Sequence, residues 1–434
     1  MKIIRYSDAD YVESTRFLDR RAIPTETLRE TVAGILAQVR EQGNAGLLAL
    51  TEKFDGASLT EQSLRVSDDE FLAAESQADE ALRLAVATSI ANVRSFASHG
   101  LRKNWQGTNA EGAEVGEVYH PLGRVGIYVP GGTAPLVSTA LMTVPIAVVA
   151  GVPEIVVTTP CGADGSVNPA LLFALREAGA TEVYKVGGAQ AIAALAFGTE
   201  TIRPVEKVYG PGNSYVVEAK RQVFGAVGVD LLPGPSEVLV LADNSARADW
   251  IAADMLAQAE HGKDSEVVFV TDSESLLEKV LVEIDAQAES LSRQAPIRKV
   301  LENGTYCILE RSLDEAVRLV NAYAPEHLSI VVADPDSILS EIRTAGAIYI
   351  GQWSPIAVGD FMAGPSHELP TGGAGKSFPG LTTDMFQRRT SIVRYGPESI
   401  QRAAPIVDTF AKVEGLDAHG RSVQIRADAV PEHK

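Results

Sequence analysis

Apart from His433 in the last two residues, four of the seven histidines lie within two residues of a carboxylate, a pairing suited to proton transfer and to metal binding. Imidazole titrates near neutral pH, and its ring nitrogen is also a common zinc ligand. The four are His261 in AEHG, His327 in PEHL, His367 in PSHELPTGG and His419 in LDAHG. These four segments are the first candidates for an active site.

The segment LAQAEHG ends a predicted helix and places Gln258 three residues before His261. That spacing sets both side chains on one face, and a helix end can hold two ligands rigidly. Glutamine is an uncommon zinc ligand, however, and a solvated polar helix end capped by Gly262 explains the same pattern. The pattern alone leaves a ligand pair and an ordinary helix end both open.

The segment NAYAPEHL places an acid beside an imidazole at the start of a predicted strand. Pro325 ends the preceding helix, and Glu326 and His327 enter the strand LSIVVAD at a sheet edge, where both can reach one cavity. We interpret this pair as suited to proton transfer, with an exposed turn as the alternative.

Two further segments offer carboxylates and histidines. Asp360 and His367 lie in a loop dense in glycine and proline, and Glu414 and His419 lie near the C-terminus. Loops held by a scaffold often carry function. The spacing of these residues does not establish that they converge.

The elements that must position these residues alternate between strands and helices. The runs RVGIYVP, EIVVTTP and EVYKVGG belong to one β-α series, and EVLVLAD, SEVVFVTD and LSIVVAD belong to a second. Such alternation predicts two parallel sheets covered by helices, with a boundary near 233–236. Amphipathic helices are predicted before them, the first of which, ETLRETVAGILAQVREQG, ends at Gly43. The C-terminal segment is polar and less periodic, and resembles a docking tail more than a domain.

Three glycine loops, YVPGGTAP, VGGAQA and YGPGNSY, join strands to helices in consecutive β-α units. Each can turn backbone N–H groups toward a phosphate at a helix N-terminus. None matches the usual dinucleotide fingerprint, G-x-G-x-x-G. The loop YGPGNSY has its first two glycines, but Tyr215 stands where the third glycine belongs. Ordinary tight turns remain an alternative for any single loop, but three together favour a nucleotide crevice at the carboxyl ends of the strands.

Composition limits the function further. The chain has 434 residues, enough for two or three domains, and its net charge of −19 argues against a nucleic acid or an anionic membrane as partner. Two cysteines, Cys161 and Cys307, do not make a disulfide framework or a thiolate metal cluster. The start MKIIRYSDAD lacks the apolar core of a signal peptide, so we expect a cytoplasmic location. The uncharged stretch from Val125 to Pro153 could span a membrane, but its prolines and glycines predict strand, loop and helix instead.

Eight motifs, in order and across nearly the whole chain, resemble the histidinol dehydrogenase family. They are GRVGIYVPGG, KVGGAQAIAALAFGT, YGPGNSYV, GPSEVLVLAD, AQAEHG, NAYAPEHL, VGDFMAGPSHELPTGG and EGLDAHGR. The resemblance implies a zinc enzyme of histidine biosynthesis that oxidises L-histidinol through L-histidinal to L-histidine and reduces two NAD⁺. It also implies an intertwined homodimer in which the C-terminal segment completes the neighbour's site.

Carried over residue by residue, the resemblance implies four sets of site residues, and none of these positions departs from the family pattern. The implied zinc ligands, for one ion per subunit, are Gln258, His261, Asp360 and His419. The implied acid–base pair is Glu326 and His327. The implied substrate contacts are Ser236, His327, His367 and Glu414, together with the four metal ligands. The implied NAD contacts are Tyr128, Gln190 and Asn213.

The fold implied by the resemblance is α/β, with two Rossmann-like parallel-sheet domains related to aldehyde dehydrogenases. An N-terminal helical arm and a C-terminal tail swapped within the dimer complete it. The expected divisions are 1–26 for the arm, 27–127 with 237–380 for the metal and substrate domain, 128–236 for the NAD-binding domain, and 381–434 for the segment that reaches the partner subunit.

Three rival functions remain open. A zinc- and NAD-dependent dehydrogenase of another small alcohol, such as sulfopropanediol, would share the scaffold, but Glu414 suits a cationic amine or imidazole and repels a sulfonate. A zinc hydrolase could use Glu326 to activate water, although three nucleotide-type loops count against it. The third rival is a non-enzymatic binding protein. It would not account for the carboxylate–histidine loops beside a predicted crevice.

Overall fold

The structure is a computed structural model that describes residues 1–18, 20, 24–131, 136–262 and 264–431. The chain forms two compact units. The first comprises Met1–Gly100 and Leu122–Met385, and the second comprises Leu101–Pro121 and Phe386–Lys434.

The secondary structure of the described residues is mixed, with strands and helices in both units. The strands are β1 (Lys2–Arg5), β2 (Trp105–Thr108), β3 (Glu114–Pro121), β4 (Arg124–Tyr128), β5 (Glu154–Thr159), β6 (Glu182–Lys185), β7 (Lys207–Tyr209), β8 (Gly228–Val229), β9 (Glu237–Ala242), β10 (Glu266–Thr271), β11 (Thr305–Leu309), β12 (His327–Val331), β13 (Ala347–Ile350) and β14 (Gln387–Arg394). The α-helices are α1 (Tyr11–Ser14), α2 (Glu26–Asp55), α3 (Asp68–Gln77), α4 (Glu80–Ser98), α5 (Val137–Ala150), α6 (Pro169–Ala178), α7 (Gly188–Phe197), α8 (Ser214–Val223), α9 (Ala248–Ala259), α10 (Glu274–Ala288), α11 (Gln294–Asn303), α12 (Leu313–Tyr323), α13 (Asp336–Leu339), α14 (Ile356–Phe361), α15 (Pro397–Glu414) and α16 (Asp417–Ala427).

Two parallel sheets form the first unit, as the β-α alternation predicts. A six-stranded sheet has the order β1-β11-β10-β9-β12-β13, and a five-stranded sheet has the order β6-β5-β4-β7-β8. Every residue of β4, β9 and β12 is buried, because helices cover both faces of such sheets. The prediction of an α/β fold with parallel sheets is confirmed. Strand β1 was not expected, since its four residues carry no clear strand pattern.

The range of α2 contains two helical segments that meet at a kink at Gly43, whose backbone is non-helical, with φ 55° and ψ −132°. The predicted helix end at Gly43 is therefore confirmed, and a second helical segment, which was not predicted, follows it to Asp55. Glycine tolerates a positive φ, and Glu200 occupies the space that a side chain would need. The Glu200 carboxylate also accepts the Asn44 N–H at 2.7 Å, which satisfies an amide at the kink.

The N-terminal helices pack against the helices of the five-stranded sheet. Helix α2 contacts α7 and α8, α3 contacts α6, and α4 contacts α5. These contacts differ from the expected grouping of residues 27–127 with 237–380, and β4 is itself a strand of the five-stranded sheet. The domain divisions remain a proposal, and amphipathic patterning alone did not indicate which sheet the helices would cover.

The uncharged stretch from Val125 to Pro153 contains most of β4 and all of helix α5, as its glycines and prolines predict. Residues Gly132 to Pro135 of the YVPGGTAP loop lie outside the described residues. In the part of the chain that the structure describes, no helix is both long and apolar enough to cross a membrane.

The second unit contains more regular structure than its polar sequence indicates. Strand β3 pairs with β2 and β14 in a three-stranded antiparallel sheet, and α15 packs on α16. Residues 381–434 were expected to form a loose segment. Strand β14 and the two helices instead occupy most of that range, because β14 finds its partner in residues 114–121, far away in sequence.

One buried arginine ties together three strands of the five-stranded sheet. The Arg124 guanidinium, at the start of β4, donates two hydrogen bonds of 2.8 Å to Glu182 and a third to Glu154. These glutamates begin β6 and β5, so the contact joins strand ends across the sheet. The hydrogen bonds from Arg124 hold the pKa of Glu182 at about 2, below its usual value of 4.5.

Replacing Arg124 by Met should lower the free energy of unfolding at pH 7 by about 3–5 kcal/mol. The Glu154 and Glu182 carboxylates would then lie close together, partly buried, without a compensating cation. Arg203 is the matched control, since it is exposed and pairs with Glu154 at the surface, so Arg203→Met should cost less than about 1 kcal/mol. Urea denaturation measures both variants, and equal losses would refute the role of Arg124. The depressed pKa of Glu182 stabilises the fold fully above pH 4.5 and stops doing so as the pH falls toward 2, so the effect of Arg124→Met should shrink across that window.

Candidate active site

The Glu326 carboxylate is held at the amino-terminal edge of the six-stranded sheet, where β9 and β12 lie side by side. Its Oε2 atom accepts the Ser236 hydroxyl at 2.7 Å and the Glu237 N–H at 2.8 Å. Burial would raise the pKa of Glu326, but the His327 ring and these donors lower it. A buried carboxylate that stays ionised is suited to accept a proton.

Glu237 and Arg20 stabilise the position of Glu326 through a hydrogen bond and an ion pair. The Glu237 side chain accepts the Glu326 N–H at 3.3 Å, and Arg20 forms an ion pair with Glu237 and a 2.7 Å hydrogen bond to Glu266. Burial raises the pKa of Glu237 to about 7 despite the opposing effect of Arg20. Two buried carboxylates can therefore lie next to each other because a cation and N–H donors compensate them.

The His327 ring lies between Glu326 and Asp360. Its Nδ1 is 3.2 Å from the Glu237 carbonyl oxygen and 3.4 Å from Glu326 Oε2, while its Nε2 is 3.6 Å from Asp360 Oδ1. Burial would lower the pKa of His327, but Glu326, Asp360 and the Glu237 carbonyl raise it to about 9. Among the described residues, Nε2 has no hydrogen-bond partner. With Nδ1 occupied, Nε2 is the nitrogen that can exchange a proton with a ligand.

Asp360 reaches this ring because helix α14 approaches strand β13 closely. The approach occurs at Gly359, where an added Cβ would lie 2.1 Å from the Tyr349 hydroxyl oxygen. Tyr349 is the third residue of β13, the strand that pairs with β12. The glycine therefore determines how near to His327 the next residue, Asp360, can come.

Gln258 and His261 lie one turn apart at the end of helix α9. Gln258 is only 2% exposed, and its Nε2 finds no hydrogen-bond partner among the described residues. His261 lies just after the helix and is exposed. Partial desolvation of its ring by the surrounding protein lowers the pKa of His261, while Asp360 and Glu326 oppose that shift. A buried amide whose nitrogen lacks a partner does not fit an ordinary solvated helix end, and the ligand pair itself stays a prediction.

Two of these side chains offer donors for a cation: the His261 imidazole and the Asp360 carboxylate are of the kinds that zinc accepts. Gln258 could ligate a metal only through its amide oxygen, because the Nε2 atom without a partner is an N–H donor. Among the described residues, no group of three His, Cys, Asp or Glu side chains could hold a metal ion by itself. A four-coordinate ion here would need a further donor.

The two remaining C-terminal candidates belong to the second unit. His419 lies on α16, Glu414 is the last residue of α15, and both side chains are exposed. Within one chain, Ser236, Glu326, His327 and Asp360 form one chain of close contacts, and His261 is near enough for Asp360 and Glu326 to influence its pKa. Gln258 lies one turn before His261 at the buried end of α9, and Glu414 and His419 are exposed in the second unit.

His367 is mostly buried and has its own acidic partner. Its Nε2 lies 3.4 Å from Glu368 Oε1, and the adjacent Ser366 hydroxyl anchors the loop by donating to the Met142 carbonyl at 2.9 Å. Burial would lower the pKa of His367, but Glu368 raises it, with Asp360 adding to the effect. The Asp360 carboxylate therefore acts to raise the pKa of His367, as it does for His261 and His327.

A separate cavity of about 810 Å³ opens at the carboxyl ends of the five-stranded sheet. Tyr128, Gln190 and Asn213, the predicted cofactor residues, all line it. Tyr128 ends β4 and accepts the Gly188 N–H at 3.2 Å, which fixes the start of helix α7. Asn213 caps helix α8 by accepting the N–H groups of Tyr215 and Val216. The position agrees with the crevice expected from the glycine loops.

Two polar features face this cavity. Gln190 is 1% exposed, and its Nε2 has no hydrogen-bond partner among the described residues. The N-terminus of α7 opens into the same cavity and can face a phosphate. Both features suit a nucleotide that would supply the missing partner for the amide.

Several residues that shape these sites were not predicted. Arg20 and Glu237 lie beneath the acid–base pair, Tyr349 and Gly359 set the position of Asp360, and Glu368 pairs with His367. One signal was present in the sequence: the apolar runs of β9 and β10 both begin with Ser-Glu, an unusual charge at the start of a buried strand.

Known proteins resemble this chain over nearly its whole length. A family model described as histidinol dehydrogenase covers residues 18–427. The histidinol dehydrogenase of Geobacillus kaustophilus (strain HTA426) is 44% identical over 404 residues, 93% of this chain and 95% of that protein. A crystal structure of histidinol dehydrogenase from Elizabethkingia anophelis has a TM-score of 0.94 and 33% identity, over 99% of this chain and 98% of that one.

The likeness extends more weakly to aldehyde dehydrogenases. An acetylating aldehyde dehydrogenase from Geobacillus thermoglucosidasius has a TM-score of 0.50 and 15% identity, over 85% of this chain and 97% of that one, and shares the fold alone. The closer similarity runs along nearly the whole chain and includes the segments that carry Glu326 with His327 and Gln258 with His261. On these grounds the chain belongs to the histidinol dehydrogenase family.

Proposed function

We propose that the protein oxidises L-histidinol through L-histidinal to L-histidine, in histidine biosynthesis in the cytoplasm, with one zinc ion per subunit and two molecules of NAD⁺. The observation that carries the proposal is the buried Glu326–His327 pair, whose free ring nitrogen faces Asp360 3.6 Å away. An acid–base pair beside metal-type donors suits the oxidation of an alcohol. Family membership supplies the substrate.

The zinc ligands proposed are Gln258, His261 and Asp360 from one subunit and His419 from its partner. When bound, zinc would engage the amine and imidazole of the substrate and fix its orientation. The support from this chain is the burial of Gln258 at the end of α9 and the influence of Asp360 on His261. Gln258 would ligate through its amide oxygen, because its Nε2 is an N–H donor. Ser236, His367 and the partner's Glu414 would complete the substrate contacts.

His327 is the proposed base of the first oxidation. Oxidising a primary alcohol removes a proton from oxygen while a hydride leaves the adjacent carbon. The Nε2 atom of His327 would accept the proton, since Nδ1 is held by the Glu237 carbonyl and Glu326. A cation held at Asp360 would weaken the carboxylate's contribution to the raised pKa of His327 and so favour the neutral ring.

Glu326 is the proposed base of the second oxidation. The aldehyde must add water before a second hydride can leave, and Glu326 would take the proton from that water. Its ionised form is stabilised by the Glu237 N–H and the Ser236 hydroxyl. Keeping the aldehyde in one site for both steps would prevent the release of a reactive intermediate.

The cavity lined by Tyr128, Gln190 and Asn213 is the proposed NAD site. NAD⁺, when bound, accepts the hydride in each oxidation. Gln190 would donate its free amide to the nucleotide, and Asn213 would keep helix α8 in place through its cap.

A homodimer with shared active sites is proposed from the second unit. Helix α15 exposes Phe410 (62%) and Val413 (79%), next to Glu414. Large apolar side chains at a surface are typical of an interaction site. Covering this face with a second copy would carry Glu414 and His419 to the partner's zinc site.

Purified protein should release two NADH per L-histidinol, and a zinc chelator should abolish the reaction. Absorbance at the NADH band measures the stoichiometry with substrate limiting, and added zinc should restore activity. Failure to oxidise histidinol, or a stop after one equivalent, would reject the assignment. Turnover of a sulfonated diol in its place would favour the related dehydrogenases of other alcohols.

Glu326→Gln should slow the conversion of L-histidinal to L-histidine by roughly 10²–10⁴-fold and the first oxidation less, because glutamine keeps an acceptor for Ser236 and Glu237 but cannot take a proton. Each half-reaction can be followed separately by supplying the alcohol or the aldehyde. Glu310→Gln is a matched control, since Glu310 is a buried carboxylate hydrogen-bonded to Tyr11, and neither step should change by much. Equal losses in both steps of Glu326→Gln would contradict its role with water.

Mixing inactive His261→Ala and His419→Ala chains should restore about a quarter of wild-type activity, because half of the randomly mixed dimers would carry one intact site of two. Mixing His261→Ala with Asp360→Ala is the control, since both changes lie in the first unit and no intact site can form. Activity is measured after subunit exchange, with heterodimers verified by mass. No recovery in verified heterodimers would mean that each site is built within one chain.

A further inference from the structure

The nucleotide cavity is nearly free of charge. Of the described residues that line it, Asp55 alone carries a formal charge, and no lysine or arginine is among them. A ligand phosphate inside the cavity would therefore meet one carboxylate and no cation among the described lining residues.

Asp55 is fixed in the wall beside the start of helix α7. It is the last residue of α2, and its Oδ2 accepts the Gly187 N–H at 3.3 Å. The next amide, that of Gly188, donates to Tyr128. One carboxylate oxygen thus holds the loop before α7, and the other can accept a hydrogen bond from a ligand hydroxyl.

We infer that Asp55 makes the cavity selective for a nucleotide with free ribose hydroxyls and excludes one that carries a 2′-phosphate. The inference rests on the proposed use of NAD⁺ and names the residue that would distinguish it from NADP⁺.

The reason is electrostatic and geometric. A helix N-terminus attracts the pyrophosphate, so the ribose next to it falls near the residue that adjoins α7. A carboxylate accepts hydrogen bonds from ribose hydroxyls, but it repels a phosphate that carries up to two negative charges. Sites that accept a 2′-phosphate normally supply an arginine, and the described lining of this cavity has none.

The test compares two adenosine probes on the full-length protein. Isothermal titration calorimetry would measure the affinity for AMP and for adenosine 2′,5′-bisphosphate, which differ by the 2′-phosphate. We expect the wild type to bind AMP at least about tenfold more tightly. Asp55→Asn should reduce that ratio to about threefold or less, mainly by strengthening the bisphosphate, because asparagine keeps an acceptor for the Gly187 N–H but loses the charge.

Glu52→Gln is the matched control, since Glu52 lies one turn earlier on α2, is exposed and does not line the cavity. It removes the same charge and should leave the ratio unchanged. The ratio of kcat/KM for NAD⁺ and NADP⁺ in histidinol oxidation should follow the probe affinities in each variant. Wild-type protein that binds both probes equally, or an Asp55→Asn ratio equal to that of the wild type, would overturn the inference while leaving NAD⁺ use intact. Absence of binding by both AMP and NAD⁺ would overturn it together with the proposed function.

Discussion

Two buried carboxylates, those of Glu237 and Glu326, lie side by side at the amino-terminal edge of the six-stranded sheet, and the acid–base site depends on how they are compensated. Each accepts a backbone N–H from the other's residue, so their positions are set by the pairing of β9 with β12. Arg20 supplies the cation, and Ser236 a further donor. Without these partners, burial would force one carboxylate to take up a proton, and His327 would lose the charge that orients its ring.

In the five-stranded sheet, too, an arginine compensates glutamates at the strand ends. Arg124 joins Glu154 and Glu182 at the starts of β5 and β6, as Arg20 joins Glu237 and Glu266 at the starts of β9 and β10. In both sheets, one arginine ties neighbouring strand ends together. In the five-stranded sheet the contact supports the fold, whereas in the six-stranded sheet it also positions a residue of the candidate active site.

The two candidate sites use opposite ends of their sheets. The acid–base pair lies where β9 and β12 begin, and the nucleotide cavity lies where β4 and β5 end. Carboxyl ends suit a nucleotide because the following helices turn their N-termini toward it. The amino-terminal edge suits the metal donors because helix α9 returns there, with Gln258 and His261 at its end.

The sequence by itself determined the α/β class, most of the strands and helices of both parallel sheets, and the residues that resemble a known family. These follow from local periodicity and from motif order, which require no knowledge of distant contacts. The packing of helices could not be predicted in this way, since the amphipathic pattern of α2 did not show which sheet it covers. The segment after Gly43 was not predicted to be helical, and the Glu200 contact at that kink lies far along the chain. Only the tertiary structure decided that the Gln258 amide is buried without a partner, that Asp360 reaches His327 past Gly359, and that Arg20 compensates the carboxylates beneath them. Each of these is a contact between segments remote in sequence, and local patterns do not encode such contacts.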